Sequence, residues 1–179
     1  RRAAVTEDNH PVSFYVNPIH DGGGSIIQTT DYRTADIRVD AARYQTRHPN
    51  FVPTEQVDSL QLDDIITTQC VVKIDVEGAE LTALASGKRA LKSGLVNVMV
   101  VEVTTTTIGT VIEFLDEVEF DCFIWGRKSP LTVGSQLDRR IGNLLCLRRQ
   151  SSTYGSMLGL VPDMGPPNPA VAVTFEEEQ

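Results

Sequence analysis

The chain is 179 residues long, 41% hydrophobic and 22% charged, which suits one globular domain with a substantial core and excludes a repeat protein, a coiled coil or a collagen-like chain. Its formal net charge of -8 argues against a nucleic-acid partner, because proteins that hold phosphate backbones present a basic face. No apolar stretch approaches the ~18 to 20 residues that cross a bilayer, and no signal-peptide pattern opens the chain, so it reads as soluble with no membrane partner, cytoplasmic by default.

The first elements in chain order are short strands broken by turns: "AAV" from Ala3, "VSFYV" from Val12 and "SIIQ" from Ser25, expected to pair antiparallel through tight turns. Tyr32 to Pro53 is polar and reads as a loop with a short helical piece. Asp58 to Ile66, "DSLQLDDII", has the spacing of a single helical turn or of a strand-to-helix connection, with Leu60, Leu62, Ile65 and Ile66 inward.

Alternating strand and helix follow. Val71 to Ile74 is an apolar run interrupted only by Lys73, as expected of a central parallel strand buried on both faces. Ala79 to Lys92 is predicted helical, with Leu81, Leu84 and Leu91 on one side, a bend or split at Gly87 and a stop at Gly94. Val96 to Val103 is a second buried strand. Ile108, Val111, Ile112, Leu115 and Val118 recur at helical spacing. Cys122 to Trp125 and Leu144 to Leu147 are two last strands, able to pair antiparallel across the polar Gly126 to Asn143 loop. Residues 1–150 thus read as one α/β domain. Residues 151–179 are rich in Pro, Gly and Ser and end in three acids, the composition of a disordered tail, with Val171 to Phe175 as a sticky edge segment.

Cys70, Cys122 and Cys146 are odd in number, far apart and set in apolar segments, so they read as buried free thiols rather than disulfides or zinc ligands. His10, His20 and His48 share no ligand spacing, and no metal centre is expected of them.

Chemistry concentrates in "VVKIDVEGAELTAL", Val71 to Leu84. Ligands of an open parallel sheet bind beyond the carboxyl ends of its strands, and Asp75 and Glu102 end two presumed neighbours. An acid after an apolar strand is costly to desolvate unless it meets a partner, water or ligand. Gly78 lets the chain turn into the helix, while Glu77 and Glu80 fall in its first turn, where negative charge is favoured; for Glu80 capping is the plainer role. Lys73 either snorkels to an edge or pairs with one of these acids.

The stretch from Lys73 to Glu80, "KIDVEGAE", with Leu84 and Gly87 in the helix and Glu102 ending the next strand, resembles the signature of the FkbM family of S-adenosylmethionine-dependent methyltransferases. The resemblance spans about residues 3 to 149 and includes the Asp-rich lead-in "VDSLQLDDII". It implies a Rossmann-like class I methyltransferase sheet with a final antiparallel strand pair. It further implies methyl transfer from the cofactor S-adenosylmethionine to a hydroxyl on a small molecule or sugar. Asp75 then orients or deprotonates the acceptor, Glu77 and Glu102 shape the same pocket, and Asp75 and Gly78 border the cofactor. The first strand of such a fold, its glycine-rich turn and the ribose-binding acid have no counterpart here. "HDGGGS" lacks a following helix and reads as a hairpin turn, so the chain is expected to hold the C-terminal half of the domain, without its N-terminal strands. Two other readings remain: a non-catalytic methyltransferase-like interaction module, and a magnesium-dependent hydrolase using Asp75, Glu77 and Glu102 as oxygen ligands.

Overall fold

The computed structural model describes residues 3–16, 24–26, 54–124, 129–132, 134–135 and 141–161. His20, His48, the Tyr32 to Pro53 loop, most of the Gly126 to Asn143 loop, the "DGG" of the predicted hairpin and residues 162–179 lie outside them. The chain forms a mixed α/β structure with two mixed sheets.

The smaller sheet has the order β1-β3-β2, built from β1 (Ala3–Val5), β2 (Val12–Tyr15) and β3 (Thr54–Leu60). Against the antiparallel pairing expected from their turn-rich spacing, the first two strands do not pair with each other; β3 lies between them, parallel to β1 and antiparallel to β2. The long-range partner won because a seven-residue strand offers ladders on both sides, whereas "TEDNHP" is too irregular to close a tight hairpin. Tyr15 and Ser25 make an isolated antiparallel bridge, as the third predicted strand required. Gln61 then turns the chain into α1 (Leu62–Ile65), the strand-to-helix alternative. Ile66 is buried but Ile65 is 52% exposed, so only part of the expected inward set is inward.

The larger sheet has the order β4-β5-β7-β6, from β4 (Cys70–Ile74), β5 (Val96–Thr104), β6 (Phe120–Ile124) and β7 (Ile141–Arg148). Strands β4 and β5 are parallel, with Ile74 beside Val101. The predicted final pair β6 and β7 is antiparallel, and β7 also runs antiparallel to β5. Strand β5 is the deeply buried one: Val96, Met99, Val101 and Val103 are fully enclosed. Strand β4 is not central among the described residues. It has one strand neighbour there, Val71 is 72% exposed and only Ile74 is buried, so its apolar sequence misled. Cys70 is exposed for the same reason, against the expectation that all three thiols are buried.

One face of this sheet carries the main core. The predicted helix after β4 splits at Gly87 into α2 (Glu80–Ser86) and α3 (Lys88–Lys92). A Cβ on Gly87 would lie 3.0 Å from that of Leu62, so the close approach of α1 favours glycine. The Asp63 carboxylate accepts bonds from the Arg89 and Ala90 amides at 3.2 and 2.6 Å, satisfying donors at the start of α3. Leu84 and Leu91 are buried, but Leu81 points outward at 39% exposure. Helix α4 (Ile108–Glu117) buries Ile108, Val111, Ile112 and Leu115 as its spacing predicts. Each such side chain contributes about 1.5 to 3 kcal/mol by leaving water.

The other face corrects the disordered-tail expectation at its start. Tyr154–Leu160 forms α5, whose Tyr154, Met157 and Leu158 pack on Val98, Phe123 and Leu147. These three residues sit at helical spacing inside a Gly- and Ser-rich segment, so composition hid a short apolar stripe. Tyr154 also donates to Asp121 at 2.5 Å.

Candidate active site: the acidic turn after β4

The site follows from one register. Because β4 and β5 run parallel with Ile74 opposite Val101, Asp75, just past the end of β4, stands beside Glu102, two residues before the end of β5. Their carboxylate oxygens come within 4.8 Å of each other. Two carboxylates in that position cannot both ionise without repulsion, which favours a proton on one of them. The bond to Asp75, then burial, then the charges of Asp75 and Glu77 push Glu102 up to about 7. Asp75 moves the other way, held below its ordinary range by the Glu102 bond and by the Lys73 ammonium. Of the two, Glu102 is therefore the one that takes up a proton as pH falls toward 7, and Asp75 stays ionised.

Lys73 settles the alternative left by its sequence position: its ammonium forms an ion pair with Asp75, and that bond raises its pKa. The pair stands in solvent, with side chains 57% and 41% exposed, so its own contribution to stability is small.

Glu77 is placed by strain that the chain accepts locally. Glu77 and Gly78 have φ of 49° and 98°, and the Ala79 amide bonds back to the Val76 carbonyl at 3.3 Å, closing a turn of two left-handed residues. Gly78 meets the second position without steric cost, as predicted. Glu77 thus lies in the turn before α2, not in the helix's first turn. Its carboxylate, with those of Asp75 and Glu102, forms a group whose ligand oxygens lie within 4.8 Å of one another. The three predicted catalytic residues come together.

Glu80 does begin α2 and is 2% exposed. One carboxylate oxygen accepts from the Gly78 amide at 2.8 Å, the capping role its position suggested. Gly78 therefore has no free amide to offer a ligand. What it presents to the crevice is an absence of side chain. The Asn143 position, opposite Glu102 across the β5–β7 ladder, adds an exposed amide beside the pair. Only the antiparallel return of β7 brings it there, so no local signal could have found it.

The Methyltransferase FkbM domain profile matches residues 1–122, which takes in β1 to β5 and the acidic turn and ends within β6. No curated protein and no solved structure matches the chain. The match covers the larger part of the chain and contains Asp75, Glu77, Gly78 and Glu102. The chain belongs to the FkbM methyltransferase domain family.

Proposed function

We propose that the chain carries the acceptor side of an S-adenosylmethionine-dependent O-methyltransferase, and that the Asp75–Glu102 pair handles the proton of the acceptor hydroxyl. The observation that carries this reading is the convergence of Asp75, Glu77 and Glu102, with oxygens within 4.8 Å, in a segment matched by the methyltransferase family; their mutual repulsion and burial push Glu102 up to about 7. A general base works best with a pKa near the operating pH, so Glu102 suits proton transfer better than Asp75, whose lowered pKa suits orientation. Asp75 accepts the hydroxyl's hydrogen bond and fixes its oxygen for in-line attack, and the proton passes to Glu102 in its ionised form, which predominates above about pH 7. The cofactor supplies the electrophilic methyl on a sulfonium. A cluster of three carboxylates fits that positive charge. Glu77 and the bare backbone of Gly78 border the same space.

A Rossmann-like reading of the larger sheet is supported by its parallel β4 and β5 followed by the antiparallel insertion of β7. The magnesium-dependent alternative uses the same three carboxylates. The Lys73 ammonium already compensates Asp75, which weighs against a divalent ion there.

Calorimetric titration of S-adenosylhomocysteine into this chain, and into a form extended upstream of Arg1, tests the proposal. Binding to either form, with methyl transfer to a hydroxyl acceptor by the binding form, supports it. Binding to neither overturns it in favour of a scaffold. Ordering by Mg²⁺ alone would favour the hydrolase.

A further inference from the structure

Cys122 and Cys146 are register partners across β6 and β7, and the hydrogen bonding around them identifies the type of pair. In an antiparallel ladder, residues opposite each other alternate between bonded and non-bonded pairs, and a residue's amide and carbonyl point to the same side. The Cys122 carbonyl accepts from the Leu131 amide at 2.7 Å, on the side away from β7. Further along, the Arg149 amide donates to the Glu119 carbonyl at 2.8 Å, which marks that pair as a bonded one. Counting along the ladder from either bond makes Cys122–Cys146 a non-hydrogen-bonded pair.

Non-bonded pairs bring Cα atoms to about 4.5 Å, with their side chains closest. Disulfides need Cα atoms about 4.4 to 6.8 Å apart, so the site lies at the short end of the allowed range. Both thiols point into the same core and are buried, at 1% and 0% exposure. Burial first, and then the hydrogen bond with Cys122, raise the Cys146 thiol well above its ordinary pKa. Neither thiol has a role in the acidic turn.

We infer that Cys122 and Cys146 form a reversible disulfide across β6 and β7, made by exchange with a small disulfide such as oxidised glutathione. Access comes through β6, which among the described residues has β7 on one side and the Leu131 bridge on the other; opening it undoes a five-residue ladder and uncovers Phe120 and Phe123, so the exchange is slow. On opening, the Cys122 thiol loses its proton to solvent, and its sulfur attacks the glutathione disulfide, releasing one glutathione thiolate. The Cys146 sulfur, deprotonated in turn, attacks the Cys122 sulfur of the mixed disulfide and releases the second. Two electrons pass from the cysteine pair to the glutathione disulfide, and the two protons end in solvent or on the released thiols. The product clasps the outer strand to β7.

The test is peptide mapping of the native chain after incubation with oxidised glutathione, acid quenching, unfolding and alkylation with N-ethylmaleimide. The expected result is a pair of peptides joined through Cys122 and Cys146, lighter by two hydrogen atoms than the free peptides together and separated again by dithiothreitol. The Cys70→Ser variant should give the same bridge, and its oxidised form should melt several degrees above its reduced form. Recovery of Cys122 and Cys146 both alkylated, glutathione adducts on them without a bridge, or a bridge that requires Cys70 would each overturn the inference.

Discussion

Replacing Glu102 by Gln separates the shared proton from everything else at the site. In the folded chain Glu102 is raised from 4.5 to about 7. A group whose folded pKa lies above its unfolded one adds stability that is complete below the unfolded value, and this is lost as pH rises through the folded value. The wild type should therefore lose stability between about pH 5 and 8. A rise from 4.5 to about 7 converts to about 3 kcal/mol at about 1.4 kcal/mol per pH unit. Asp75 is exposed and Glu102 partly so, and solvent screening brings the effect down to ~1 kcal/mol. Glutamine keeps a donor for Asp75 and cannot titrate. Urea unfolding of both proteins across this pH range measures the difference, in which the histidines and other shared titrations cancel. The variant should match the wild type near pH 5 and exceed it by about 1 kcal/mol near pH 8. Parallel pH dependences would refute the shared proton, and with it the role given to Glu102.

Asp75→Asn removes the hydroxyl's acceptor and the Lys73 pairing, and should lower kcat for methyl transfer by about 100-fold or more while leaving melting within a few degrees; equal losses in both would make Asp75 a structural acid. Gly78→Ala forces a side chain onto a φ of 98° and should cost about 1 to 2 kcal/mol in urea unfolding, against no change if the turn relaxes. Tyr154→Phe loses the bond to Asp121 and should cost about 1 kcal/mol. Burial first, and then the same bond, hold the Tyr154 phenol at about 12, so its ultraviolet titration should lag behind that of the other tyrosines in the wild type and be absent from the variant.

Much of the site was legible because its determinants are local. "KIDVEGAE" carries a strand, a glycine where the chain turns and an acid at the helix start, which map onto their observed places, whereas Glu77, expected in the helix's first turn, lies in the turn before it. Helix α4 was equally legible, since five apolar residues at helical spacing can share only one face. Errors arose where a residue's environment depends on what lies across the sheet. Val71 and Cys70 look like core residues in sequence, yet they stand at the outside of the described sheet. Tyr154, Met157 and Leu158 look like tail, yet β7 offers them an apolar face.

By itself, then, the sequence determined the family, the α/β alternation and the identity of the three acids, because periodicity, turn chemistry and an eight-residue motif are properties of neighbours in the chain. Tertiary structure alone decided which acids stand together, which strand is central and which thiols meet. Those outcomes depend on register between distant strands, and the approach of Asp75 to Glu102, or a non-bonded pair at Cys122 and Cys146, exists only once that register is set.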